Sequence, residues 1–236
     1  MPPIHSFTDW NKRPSDREEK IEPFRKYIFI CEGEKTEVWY FKRLISLRKQ
    51  LNIHPLIDIR LWERTEEDLH ISAPIRLIQL ANTSRTDEKL DFDPEHDKII
   101  IVFDADRFVK RPEEYNSIIT TGEPDNILAV TNPSFELFLL LHLPDSYKAI
   151  IKPHEKEILE NKKDGSQRFV QKLLSTSIGI NSKKNPDIAY LADNIMAAIQ
   201  EEKNINQDIH NALIKLTSNV GKIVEMILHD SITLAP

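Results

Sequence analysis

The sequence holds a single cysteine, Cys31, which excludes an internal disulfide. It has no long apolar run. The longest, Phe135–Leu143, is interrupted by Glu136 and falls short of the ~20 apolar residues a membrane span requires. The N-terminal stretch MPPIHSFTDWNKRPSDREEK has no apolar secretory core. These absences lead to the expectation of a cytoplasmic protein. A positive charge excess is missing too. The net charge is −6, so any contact with nucleic acid must rest on a local patch or on metal ions.

Several familiar motifs are also lacking. Glycine is scarce, five in 236 residues, and no G-x-G-x-x-G occurs. Gly33-Glu34-Lys35-Thr36 lacks the first half of a phosphate-binding loop. Asp104–Tyr115 is not a calcium loop, because Phe108 and Lys110 stand at ligand positions and Tyr115 replaces the closing glutamate. The eight histidines form no pair at metal-binding spacing, and His154-Glu155 lacks the second histidine of a zinc-protease helix. Cys31, at a strand end, reads as packing rather than as a nucleophile.

What is present is an ordinary globular composition, 40% hydrophobic and 30% charged, in a chain long enough for a sizeable core. Residues 1–24 are polar and aperiodic and read as an N-terminal arm. Tyr27–Cys31 (YIFIC) and Lys98–Phe103 (KIIIVF) are continuous apolar runs, expected of strands covered on both faces. Pro55–Trp62 and Asn126–Thr131 read as further strands. Helical spacing follows each: about Thr36–Gln50, Glu66–Asn82 with Pro74 restarting or kinking it, Pro112–Ile119, and a helix that Asn132 caps with Pro133 at its first position. This β-α alternation predicts an α/β fold over residues 25–145, with a parallel sheet flanked by helices. Residues 146–236 read as an all-helical C-terminal region, with a break expected near Gly221.

Active sites of open parallel sheets lie beyond the carboxyl ends of the strands. There the first strand is followed by Glu32-Gly33 and the third by Asp104-Ala105-Asp106. If these strands are neighbours, Glu32, Asp104 and Asp106 converge, Gly33 allows a sharp turn and Glu37 lies within reach. Carboxylates so crowded raise one another's pKa, and a hard divalent cation such as Mg²⁺ relieves the conflict. The alternative is that strand-end aspartates cap a loop or the next helix. Lys35, Arg107 and Lys110 lie close to the acids, as phosphate-binding groups or as surface ion-pair residues. Glu136 stands in an otherwise apolar helix, where a lone buried carboxylate is costly; it either faces the same site or pairs with a nearby base. His142, about 120° round that helix from Glu136, reads as a packed core histidine. Lys162, Lys163, Arg168, Lys172, Lys183 and Lys184, set against Asp164 alone, are either a nucleic-acid contact or a solvated surface.

FICEGEKTEVWYF, IIIVFDADRF and NPSFELFLLLH together resemble the RloB-like family, whose members are similar to Toprim-domain nucleases and are associated with restriction and phage-defence loci. The resemblance covers roughly residues 26–145. It implies a Toprim-like core with catalytic residues Glu32, Asp104 and Asp106, which would also bind Mg²⁺ (or Mn²⁺) together with Glu37. The family's Asn-Pro-x-Phe-Glu segment matches Asn132 and Glu136, which join Gly33, Lys35 and Arg107, placed by their nearness to the acids, as site-supporting candidates. The implied activity is hydrolysis of DNA or RNA, and the implied partners are nucleic acid, a defence-system protein and further copies of the chain. A non-catalytic Toprim-like module that binds nucleic acid or protein is the other reading. The sequence departs from the family's pattern at Asn219-Val220-Gly221, where an Asn-Pro is expected.

Overall fold

A computed structural model describes residues 23–62, 73–87 and 90–233. Residues 1–22 of the expected N-terminal arm and the first part of the helix expected over Glu66–Asn82 lie outside the described residues. The remaining order is β1 (Arg25–Cys31), α1 (Thr36–Ser46), β2 (Ile57–Leu61), α2 (Pro74–Ser84), β3 (Lys98–Asp104), α3 (Pro112–Gly122), β4 (Ile127–Asn132) and α4 (Phe135–Leu140). The β1–β2 and β3–β4 crossovers each reach a parallel neighbour, while the β2–β3 crossover passes over β1, so the sheet order is β2-β1-β3-β4. Pro74 sits in the first turn of α2, where its missing N–H costs nothing.

The apolar runs are strands with two covered faces. Tyr27, Phe29, Cys31, Ile100 and Val102 point to one side, against α1, α4 and the later helices. Ile28, Ile30, Ile99, Ile101 and Phe103 point to the other, against α2 and α3. His142 is fully buried on the first side. Its Nδ1–H donates to the Phe138 carbonyl (3.0 Å), and its Nε2 accepts from the Tyr40 hydroxyl (2.9 Å). Burial lowers its pKa to about 4, so the ring is a neutral core group.

The region after residue 145 is not all-helical. It contains α5 (Glu155–Glu160), a small hairpin of β5 (Lys163–Asp164) and β6 (Gln167–Arg168), and α6 (Phe169–Ile178). A 3₁₀ segment over Pro186–Asn194 then leads into α7 (Ile195–Glu202). A second 3₁₀ turn (Ile209–Ile214) precedes β7 (Thr217–Ser218) and α8 (Val220–Thr233). β7 pairs antiparallel with the end of β4 and becomes the fifth strand. The break therefore falls before α8 and not at Gly221, which lies in the first turn of that helix. Gly221 is small for a reason: a Cβ there would stand 2.9 Å from the Glu202 carboxylate, which accepts from the Gly221 and Lys222 backbone N–H groups. No helix among the described residues is long and apolar enough to cross a membrane.

Asn132 also departs from expectation. It is the last residue of β4, joined to Pro133 by a cis peptide bond, and it caps no helix. Its Nδ2 donates instead to the carbonyls of Ala212 (2.7 Å) and Lys215 (3.0 Å). Ser134 precedes α4 in the capping position.

Asn219 extends the work of β7. Its side-chain carbonyl accepts from Val130 N–H (2.7 Å), and its amide donates to the Leu128 carbonyl (2.8 Å). One side chain thus satisfies two backbone groups of β4 that would otherwise be orphaned. Asn219→Ala should destabilise the protein by about 2 kcal/mol, through those unsatisfied groups. At this chain length the melting temperature should fall by about 4–8 °C. An unchanged melting temperature would show that β4 needs no such partner.

Candidate functional site

The carboxyl ends of β1 and β3 are adjacent, with Cys31 opposite Val102, and the chain beyond them carries the predicted acids. Glu32 continues the β1 ladder: its N–H donates to the Val102 carbonyl (2.9 Å). Its carboxylate accepts from the Asp104 N–H (3.3 Å) and is contacted by the Arg107 guanidinium. Asp104 closes β3 opposite Thr131 of β4, whose hydroxyl donates to Asp104 Oδ1 (2.5 Å). Asp106 opens a 3₁₀ turn (Asp106–Phe108) that turns Arg107 back toward Glu32.

Gly33 makes room for Glu37. A Cβ on Gly33 would lie 2.0 Å from Glu37 Oε2, so any side chain there collides with that carboxylate. Glu37 is buried in the first turn of α1, where the helix dipole favours an acid.

Glu136 is 2% exposed at the start of α4 and both earlier readings of it hold together. It lines the same cavity as Asp104, Asp106 and Arg107, and it is paired. Ser134 Oγ donates to Oε2 (2.7 Å), Ser182 Oγ to Oε1 (3.2 Å), and Lys183 Nζ stands 3.0 Å from Oε1. Burial pushes the Glu136 pKa up, but the Lys183 charge and the Ser134 hydroxyl outweigh it, so the carboxyl lies below its ordinary value. Asp104 goes the other way. Burial, then the charges of Glu37 and Glu136, raise it well above the usual carboxylate range. Burial also raises Asp106, against the pull of Arg168, whose guanidinium lies 3.8 Å away.

These residues floor a cavity of about 580 Å³. Its other wall is the β5–β6 hairpin and the start of α6, which contribute Lys163, Ser166, Gln167, Arg168 and Gln171. The six basic residues expected to act together are therefore divided. Lys163, Arg168 and Lys183 line the cavity. Lys162 is exposed and pairs with Glu160, Lys172 pairs with Asp164, and Lys184 is an exposed residue outside the cavity wall. Lys35 lines a second, shallower hollow of about 450 Å³ with Glu32, Gly33 and Glu37. Lys110 is exposed and lines neither. Thr131, Ser134 and Ser182 went unnoticed in the sequence. Ser134 alone carried a signal, lying between the Asn-Pro and Phe-Glu pairs of the quoted segment.

The donor types suit a hard divalent cation, since all are carboxylate oxygens, and Asp104 is raised by burial first and then by the charges of Glu37 and Glu136. The arrangement of the side chains is not that of a closed metal shell. Among the described residues, no group of three His, Cys, Asp or Glu side chains is set to hold a metal ion. The protein's own cations stand against the acids: Arg107 on Glu32, Lys183 on Glu136 and Arg168 near Asp106.

Comparison with family models matches residues 27–227 to the model described as RloB-like protein. No curated protein and no solved structure matches the chain.

The Gly33–Glu37 contact yields a prediction. Gly33→Ala should leave the fold intact, because the colliding group is the end of a flexible side chain. It should cost about 1 kcal/mol, a few degrees of melting temperature. A structure of the variant should show the Glu37 carboxylate displaced from the β1–α1 turn. Finding Glu37 unmoved would contradict the proposed packing.

Proposed function

Since the chain belongs to the RloB-like family, we propose that it is a Mg²⁺-dependent nuclease that hydrolyses phosphodiester bonds of DNA or RNA in antiphage defence. The observation that carries this reading is the crowding of Glu32, Asp104, Asp106 and Glu136 at one sheet edge, beside a cavity that also presents Arg107, Lys163, Arg168 and Lys183. Acids that suit a cation and bases that suit a phosphate backbone meet in one place.

In this reading Glu32, Asp104 and Asp106 would hold the ion, with Glu37 as a further ligand, and Mn²⁺ would serve as well as Mg²⁺. The ion, when bound, polarises the phosphodiester and lowers the pKa of a water. Arg107, which contacts Glu32 and lines the cavity, would meet phosphate charge there. Lys163 and Arg168, on the hairpin, contact the nucleic-acid backbone. Gly33 keeps the turn small enough for Glu37 to approach. Thr131 orients Asp104 through its hydroxyl, and Asn132 ties the end of β4 to the turn at Ala212 and Lys215.

One observation favours a second reading. The Arg107 guanidinium already answers the Glu32 charge, as it would in a non-catalytic Toprim-like module that binds nucleic acid or a defence-system protein and never takes up metal. A broad panel of DNA and RNA, incubated with Mg²⁺ or Mn²⁺, separates the two. The nuclease reading expects metal-dependent cleavage that Glu32→Gln reduces by at least about a hundredfold, the scale of losing an acid–base or charge-stabilising group. Equal cleavage by parent and variant would remove Glu32 from the chemistry. Binding without cleavage anywhere in the panel would favour the non-catalytic module.

A further inference from the structure

Lys183 stands apart from the other basic residues of its segment. It lines both the main cavity and the hollow around Glu37. Its charge acts on three acids, Glu136 first, then Glu37 and Asp104. It reaches them from the far half of the chain on a loop pinned from several sides. Lys184 and Asn185 N–H both return to the Asn181 carbonyl, and Lys183 N–H donates to Asn181 Oδ1 (3.0 Å). Fully buried Ser182 then docks the loop on the site. Its carbonyl accepts from Thr36 Oγ1 (3.0 Å) and its hydroxyl donates to Glu136 (3.2 Å). Asn185 accepts from Asp187 N–H and starts the next 3₁₀ segment, fixing the loop's other end.

A plain counter-ion for Glu136 would be buried with it. Glu136 is 3% exposed in its side chain, whereas Lys183 is 47% exposed. Glu136 also has two hydroxyl donors of its own, from Ser134 and Ser182, and keeps them if Lys183 moves. The ammonium has three N–H donors, one of which is directed at Glu136, on a flexible stem that can swing toward the cavity. No other residue lines both hollows from this loop.

We propose that Lys183 is a substrate-phosphate ligand of the reaction centre, held on Glu136 in the free protein and transferred to the phosphodiester when nucleic acid binds. The catalytic part of this assignment rests on the nuclease reading; the binding part does not.

The test separates them. Affinity for a fluorescent oligonucleotide is measured in metal-free buffer across a salt series for the parent, Lys183→Met and Lys183→Arg. A phosphate contact gives Lys183→Met a salt slope smaller by about one unit, while Lys183→Arg keeps the parental slope. In Mg²⁺, kcat should fall about a hundredfold in Lys183→Met with KM changed far less, and Lys183→Arg should recover part of kcat. A structural counter-ion predicts the reverse: a lower melting temperature with parental slope and parental kcat, which overturns the proposal. Parental cleavage with an unchanged slope and kcat in Lys183→Met overturns it while leaving the nuclease reading intact. A reduced slope in a parent background that cleaves nothing upholds Lys183 as a phosphate ligand and removes the nuclease reading alone. If Lys183→Met does not fold, Lys183→Gln replaces it under the same criteria. Failure of the parent to bind the oligonucleotide both without and with Mg²⁺ overturns both.

Discussion

Mutual repulsion among carboxylates at one edge of the sheet is the constraint around which the rest of the structure is arranged. Glu32, Asp104, Asp106, Glu37 and Glu136 come from two strand ends, the 3₁₀ turn after β3 and two helix starts, and their burial or half-burial limits the solvent that would screen them. Each answer to that repulsion is a specific contact. Thr131 and Ser134 give hydroxyl hydrogen bonds, and Arg107, Lys183 and Arg168 bring positive charge. The opposite responses of two neighbouring acids follow from this. Glu136, with a lysine and two hydroxyls, is held ionised, while Asp104 carries the remaining conflict.

The C-terminal half of the chain supplies much of the answer. Its helices bury Val170, Leu174, Ile195, Ile199 and Ile223 in the same apolar cluster as β1 and α1, so the return of the chain is anchored by core packing. From that anchorage three pieces reach the sheet edge. The β5–β6 hairpin walls the cavity, the Asn181–Asn185 loop delivers Lys183, and β7 with Asn219 completes the pairing of β4. The stability of the fold and the charge balance of the site are therefore supplied by the same segments.

The strands buried on both faces were legible because YIFIC and KIIIVF are continuous apolar runs; their adjacency was only a condition of the site reading, because β-α alternation does not fix strand order, and the β1–β3 pairing supplies it. The acids at their ends were legible for the same reason. Two-residue strands were not: Lys163–Asp164, Gln167–Arg168 and Thr217–Ser218 are too short to show a period, and tertiary pairing alone makes them strands. Asn132-Pro133 resembled a helix start, but Ser134 takes the capping position and Asn132 serves a contact eighty residues away in Ala212. Lys183 was visible only as one member of a basic run. Its partner Glu136 lies 47 positions earlier, a pairing that local sequence cannot display.

The central claim is that this acid cluster requires a cation beyond those the chain supplies. The most direct measurement is the melting temperature of the parent and of Asp104→Asn across a titration with Mg²⁺ or Mn²⁺. The account predicts that metal stabilises the parent, by about 2.7 kcal/mol at a hundredfold excess over the dissociation constant. It also predicts that Asp104→Asn weakens that response, and that without metal this variant is at least as stable as the parent, because one repelling charge is gone. A parent indifferent to both ions, or a variant that responds to them as the parent does, would contradict it.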